Sequence, residues 1–311
     1  MKRIFSIILL LIVLLSCTKE VDVNLPELKQ KVVIEGRIEI GLPPIFLLSK
    51  SQSIYDETSF ATYFNSMLTD ARVFVHDGTQ EYELQLFCTE NLPAGTLQII
   101  SDMIGVSVQD LQATPFCAYS STDPSTFGVV GKTYTCRVVH KEKIYTGSTH
   151  MNAPKELDSL FWKEVPGKEN FGYSHAIYSD DPSEYDAYMW EVKRLNAKYD
   201  DRVYKKPLTS VFEDIYTNGD TYAFYQPNPF AYYNYEGPEE GRGLFERGDT
   251  VVIRLSKIDK PTFDFENSKI MQSLSNGNPF SSPLNLKSNL SGGCLGSFAA
   301  FGIHYDTLIC Q

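Results

Sequence analysis

The chain has 311 residues and a formal net charge of −11, with 42% hydrophobic and 22% charged residues. This composition suits a globular protein with a real core, and the length favours two domains. An acidic chain is not drawn to nucleic acid or anionic lipid by electrostatics, and its 19 Tyr and 19 Phe against 2 Trp lean toward strands.

Lys2 and Arg3 precede an apolar run, Ile4 to Leu15, which is too short to span a bilayer comfortably and suits a secretory signal. The run closes on Leu14-Leu15-Ser16-Cys17. That is the bacterial lipobox pattern, in which the Cys17 thiol takes a diacylglycerol before cleavage. Residues 1–16 are expected to be a lipoprotein signal peptide, and residues 17–31 the lipidated Cys17 with a polar tether. Losing Lys2 and Arg3 takes the charge from −11 to −13. Such a chain must hold to the membrane through its lipid, each buried methylene contributing about 0.8 kcal/mol.

Strands begin after the tether. Val32, Ile34, Ile38 and Ile40 share one parity, and Ile45–Leu48 is a second apolar run. Phe60, Tyr63, Phe64 and Met67 fit one short helix turned toward the body. Asp77-Gly78 predicts a turn between Ala71–His76 and Glu81–Phe87, where Tyr82, Leu84 and Leu86 alternate with Glu81, Glu83 and Gln85. Gly131–His140 and Ile144–His150 form another hairpin about Lys141-Glu142-Lys143. Short strands with regular turn punctuation predict an N-terminal immunoglobulin-like β-sandwich over residues 32–153.

Asn152-Ala-Pro-Lys-Glu-Leu157 breaks the pattern and marks a boundary. Residues 154–311 are expected to form a second, larger β-sandwich-like domain with a helix near the C-terminal end, so the whole is mainly β. Leu157–Trp162, His175–Tyr178 and the alternating Val251, Ile253 and Leu255 predict strands. Tyr185–Leu195 fits a helix through Tyr185, Met189, Val192 and Leu195, or a strand through Tyr188, Trp190 and Val192; the crowding of aromatics favours the strand. Phe263, Glu266, Asn267, Ile270, Met271 and Leu274 recur at helical spacing between Pro261 and Gly277.

Five cysteines remain after Cys17, an odd number in an exported chain where disulfides are permitted. Cys136 alternates with Tyr134 and Val138 on one strand face, which predicts a buried free thiol. Cys88 with Cys117, and Cys294 with Cys310, are the candidate disulfides; the second pair flanks an expected hairpin. There is no Cys-x-x-Cys, and His76, His140, His150, His175 and His304 show no ligand spacing, so neither metal nor cofactor is expected.

Catalytic motifs are missing: there is no Gly-x-Ser-x-Gly and no His-Glu-x-x-His. Asp180-Asp181, Asp200-Asp201 and Glu239-Glu240 are acidic pairs, but adjacent carboxylates on extended chain point apart, and solvated loop charge is the simpler reading. A calcium site through Asp180, Asp181 and Glu184 lacks the glycine and the ligand spacing of a known loop. The aromatic stretch Tyr222–Tyr235, broken by Pro227 and Pro229, reads as a loop. Tyr225, Phe230, Tyr232, Tyr233 and Tyr235 are its candidate ligand or partner contacts. The competing reading is that Phe224, Phe230 and some tyrosines simply plug the second sandwich.

Lys19-Glu-Val-Asp-Val-Asn-Leu-Pro26, Val32-Val-Ile-Glu-Gly36, Val130-Gly-Lys-Thr-Tyr134 and Pro154-x-x-Leu-Asp-Ser-Leu-Phe-Trp162 stand in that order. Gly277-Asn-Pro-Phe280, Ser282-Pro283 and Gly292 to Phe301 follow. With this order of segments, the chain resembles the Bacteroidota lipoproteins grouped as domain-of-unknown-function family 4249. Cys294, in place of a plain Gly-Leu-Gly context, and the tail to Cys310 depart from that pattern. The resemblance implies an outer-membrane lipoprotein often encoded beside TonB-dependent receptors, and no catalytic residues. In this phylum, acidic residues near the lipidated cysteine favour the outer leaflet, and Lys19, Glu20 and Asp22 fit loosely. Asp158-Ser159-Leu160, Asp249-Thr250-Val251 and Asp306-Thr307-Leu308 match the phylum's short O-glycosylation pattern, making Ser159, Thr250 and Thr307 candidate sites. The expected function is non-catalytic: a surface-exposed accessory or ligand-capture component of a TonB-dependent transporter, binding a small molecule or oligomer. The alternative is a cell-envelope structural or adhesion module with no transported ligand.

Overall fold

The first strand, β1 (Val32–Glu39), turns Ile34, Gly36 and Ile38 inward and Glu35 outward. It comes from a computed structural model that describes residues 30–52, 59–89, 92, 94–104, 106–113, 116–196, 203–231, 237–275 and 285–311. Cys17 and nearly all of the residues expected to form a signal and tether lie outside these residues. The protein is mainly β.

The N-terminal strands continue with β2 (Ile45–Lys50), β3 (Arg72–His76), β4 (Glu81–Cys88), β5 (Cys117–Ser120), β6 (Thr133–His140) and β7 (Lys143–His150). The final strand of the chain, β15 (Leu295–Ile309), lies beside β1. The order is β15-β1-β2-β5-β4-β3-β6-β7, and β1 with β15 is the one parallel pairing among the described strands. Side-chain and backbone bonds draw the β7 edge back to β15. Ala300 N donates to Thr149 Oγ1 at 2.9 Å, Ser291 N to Thr146 O at 2.7 Å, and Asn289 Nδ2 to both Ser148 O and Phe298 O. The curled sheet encloses a core of Ile34, Phe46, Leu48, Val73, Tyr134, Val138 and Phe298. Cys136 is a free thiol in this core, its pKa pushed up to about 12 by burial.

Cys88 and Cys117 are directly opposed on β4 and β5 and form a disulfide. Cys294 and Cys310 do not pair; both are buried free thiols. The hairpin expected between them is a continuous 15-residue strand. The two cysteines therefore stand at opposite ends of roughly 50 Å of extended chain.

The second half contributes β8 (Ser159–Val165), β9 (Lys168–Ser179), β10 (Ala187–Arg194), β11 (Val211–Glu213), β12 (Thr221–Gln226), β13 (Phe245–Glu246) and β14 (Thr250–Ile258). β8, β12 and β13 pair with β9; β11, β10, β14 and β15 form the facing sheet. Trp190, Tyr188, Val192, Phe245, Ile253 and Leu255 fill the space between them. β10 is buried on both faces, which explains why neither the helical nor the strand period stands out in Tyr185–Leu195.

β15 belongs to both halves. Leu295 to Phe301 pair with β1, and Gly302 to Ile309 pair with β14. At the changeover a Cβ on Gly302 would sit 2.1 Å from Asn152 O, so the close crossing needs glycine. Residues 295–301, assigned by sequence to the C-terminal domain, thus complete the N-terminal sheet.

Among the described residues, four α-helices cover the outer faces. Tyr63 of α1 (Phe60–Asn65), Ile100 of α2 (Ala94–Ile104) and Leu111 of α3 (Val108–Ala113) pack on Ile45 and Leu47 of β2. Phe263 of α4 (Lys260–Ser275) packs on Met189, Ala299, Phe301 and Ile303. α1 and α4 follow the apolar spacing of the sequence; α2 and α3 were not anticipated.

Candidate functional site: a charged cleft at the junction of the two sheets

A cleft of about 450 Å³ opens where β1, β10 and β15 meet, a size within the range of small-molecule sites. β1 contributes Glu35, Gly36 and Arg37, and β15 contributes Ser297, Ala299 and Phe301. Ile45 and Leu47 of β2, Tyr63 and Val106 form one wall. Phe265, Glu266 and Lys269 of α4, with Tyr204, Lys206 and Glu191 of β10, form the other.

The floor is a network of buried charge. Arg254 Nε donates to Glu191 Oε2 at 2.8 Å and Nη1 donates to Asp102 O at 3.1 Å. Arg254 Nη1 also lies 3.8 Å from Glu39 Oε1, and its guanidinium sits 4.1 Å from the Tyr204 ring centroid. Arg37 Nε donates to Glu39 Oε1, and its guanidinium sits 3.9 Å from the Phe301 centroid. Arg37 Nη2 is buried and makes no hydrogen bond; it is 4.0 Å from Glu191 Oε2. At the rim, Glu266 bridges Lys206 at 3.0 Å and Lys269 at 3.4 Å, and Tyr63 OH donates to Glu35 Oε2 at 2.8 Å.

These pairings set the ionisation of the site. Burial alone raises the Glu191 pKa, but Arg254, Lys206 and Arg37 together bring it below the usual carboxylate range. Burial works the same way on Glu266, and Lys206 and Lys269 overcome it, lowering the pKa to about 2. Burial opposes the charge on Arg254, and Glu191 and Glu39 more than offset that. Burial and the neighbouring Glu35 carboxylate keep the Tyr63 phenol protonated. Glu191, Glu266 and Arg254 are therefore charged at neutral pH.

The sequence carries a signal for this site. Glu191 and Arg254 each interrupt an otherwise apolar run (Met189 to Val192, Val251 to Leu255), and Arg37 lies between Gly36 and Ile38 of β1. A charge in such a strand is buried only when partnered.

The sites expected from sequence lie elsewhere. Tyr225 is on β12 and 59% exposed. It joins a row of rings on the solvent face of its sheet: Tyr173 at 4.7 Å, His175 at 5.9 Å, and Phe161 stacked on His175 at 5.3 Å. Burial, then Lys163, lowers the His175 pKa, so the imidazole in this row is neutral at pH 7. Phe230 is not a ligand contact but part of the second core, under the Arg194 and Lys205 side chains. Tyr232, Tyr233 and Tyr235 lie outside the described residues.

Asp180 is buried rather than solvated, accepting from Tyr178 OH at 3.1 Å and Gly219 N at 2.9 Å. Asp181 and Glu239 are exposed; Asp200 and Asp201 are outside the described residues. Ser159, Thr250 and Thr307 fall on β8, β14 and β15, and of the three Thr307 is exposed. Among the described residues no group of three or more His, Cys, Asp or Glu is placed to hold a metal ion, and no helix is long and apolar enough to cross a membrane.

No protein-family model matches this chain, and no curated protein is detectably similar to it.

Proposed function

We propose that the chain is a non-catalytic lipoprotein of a bacterial outer membrane, anchored through Cys17, displayed on the cell surface and capturing a ligand for a TonB-dependent transporter. The observation that carries the capture role is the junction cleft. Its walls come from both halves of the chain, and β15 pairs with strands of both, so the cavity is preorganised rather than assembled on binding. Its chemistry favours binding over catalysis. Glu191 and Glu266 are held ionised, below the usual carboxylate range, where a general acid or base would be poised near neutrality. The lipobox and the resemblance to family 4249 support the anchor and the transporter.

A second reading has its own observation. The solvent-facing row of Phe161, His175, Tyr173 and Tyr225 suits contact with another envelope component, which is the adhesion or structural role.

Affinity purification of the lipidated protein from native membranes separates the two. Co-purification of a large β-barrel is expected from the capture role, and a clean monomer overturns it in favour of the second. Protease shaving of intact cells tests display: a wholly protected protein would rule it out.

A further inference from the structure

We propose that the junction cleft takes a small organic anion, a carboxylate joined to an apolar body, with the carboxylate received by Arg37 Nη2. The inference rests on the cleft being the capture site and adds the class of ligand.

Arg37, Arg254, Lys206 and Lys269 face Glu39, Glu191, Glu266 and the exposed rim residue Glu35, which accepts from Tyr63 OH. Each acid inside is already engaged: Glu191 by Arg254, Glu39 by Arg37, Glu266 by two lysines. The donors are not. Lys206 and Lys269 share a single carboxylate, and Arg37 Nη2 is buried without a hydrogen bond. A buried donor left unsatisfied is costly, and a guanidinium N–H is best satisfied by an anionic oxygen. A cationic ligand reaching the floor would find its acids, Glu39 and Glu191, already paired with arginine. The remaining lining calls for an apolar body: Ile45, Leu47, Phe265 and Phe301 lie around the charged floor.

The test uses the mature chain, residues 17–311, carrying Cys17→Ser so that the protein stays out of detergent. The probes are 4-phenylbutyrate and 4-phenylbutanol, which differ only at the head group, titrated calorimetrically at pH 7. The acid is expected to bind about tenfold more tightly than the alcohol, or better. Arg37→Gln should bring the ratio close to one while leaving alcohol binding in place. Lys269→Gln, at the exposed rim, should narrow the ratio without disturbing the fold, which keeps the test readable if Arg37→Gln fails to fold. Equal binding of acid and alcohol, tighter binding of 4-phenylbutylamine, an unchanged ratio in the variants, or no heat with either probe each overturns the assignment. If the barrel still co-purifies, those results remove the ligand class alone. Carboxylate binding without a barrel removes the transporter instead.

Discussion

Glu191 and Arg254 stand directly opposite each other on β10 and β14, and Arg254 Nε reaches Glu191 Oε2 at 2.8 Å with the side chains 4% and 2% exposed. Neither charge has water to fall back on. Each is tolerable because the other is present, and because Glu39 and the Asp102 carbonyl take up the rest of the guanidinium.

Removing one member of this pair strands the other. Arg254→Met is expected to lower stability by about 3–5 kcal/mol. The double variant Arg254→Met with Glu191→Gln should cost less than the two single changes added together. Urea unfolding of all four proteins in a double-mutant cycle measures the coupling. Additive costs would mean that the pair is not a unit.

Glu266 ties stability to acid. Its pKa falls from an ordinary 4.5 to about 2 in the folded state, because Lys206 and Lys269 outweigh the effect of burial. A carboxylate whose folded pKa is depressed contributes stability that is complete above its unfolded pKa. That contribution is lost as pH drops from about 4.5 toward 2. Glu266→Gln should therefore lower stability at pH 7 and flatten the fall across that acid range, read from denaturation midpoints at a series of pH values.

The disulfide joins Cys88 to Cys117 across a separation of 29 residues. Closing a loop of that length is worth about 3–4 kcal/mol in the chain-entropy account. Replacing both cysteines with Ala should cost about that much. Cys136, Cys294 and Cys310 are all buried as thiols. They should resist a thiol reagent in the native protein and react on denaturation; modification of native Cys294 or Cys310 would contradict their burial.

Gly302 marks the point where β15 exchanges β1 for β14. A methyl there would meet Asn152 O at 2.1 Å, so Gly302→Ala should destabilise by about 2–3 kcal/mol through overpacking against backbone. The Gly41→Ala control is open in space, but its φ of 73° adds a backbone penalty. Gly95→Ala, in α2 with open space around it, is the clean comparison and should be neutral or slightly stabilising.

Local features were legible because their physics is local. Asp77-Gly78 marks the β3–β4 turn, and the β6–β7 turn falls at Lys141-Glu142, which both adopt positive φ. Helix α4 follows its apolar spacing, and Cys136 lies on the inward face that alternation assigns to it. Helix α2 escaped notice because it is held by packing on β2; α3 is only six residues long, although Ser107 caps it, its Oγ accepting from Asp110 N at 3.1 Å. Phe230 was ambiguous for a different reason: a proline-flanked phenylalanine looks the same in sequence whether it plugs a core or faces water.

The sequence by itself determined the mainly β character, the turns and the inward parity of the strands, all of which depend on near neighbours along the chain. Only the tertiary structure decided that β15 would lie parallel to β1 and then antiparallel to β14. Strand partnership between the two ends of a chain is a property of the whole core, not of any segment's periodicity. The cleft follows from that partnership. Arg37, Glu191 and Arg254 come from three distant strands, and Glu191 and Arg254 are each a charge in an apolar run. Their complementarity comes into being when β1, β10 and β14 are brought together around β15.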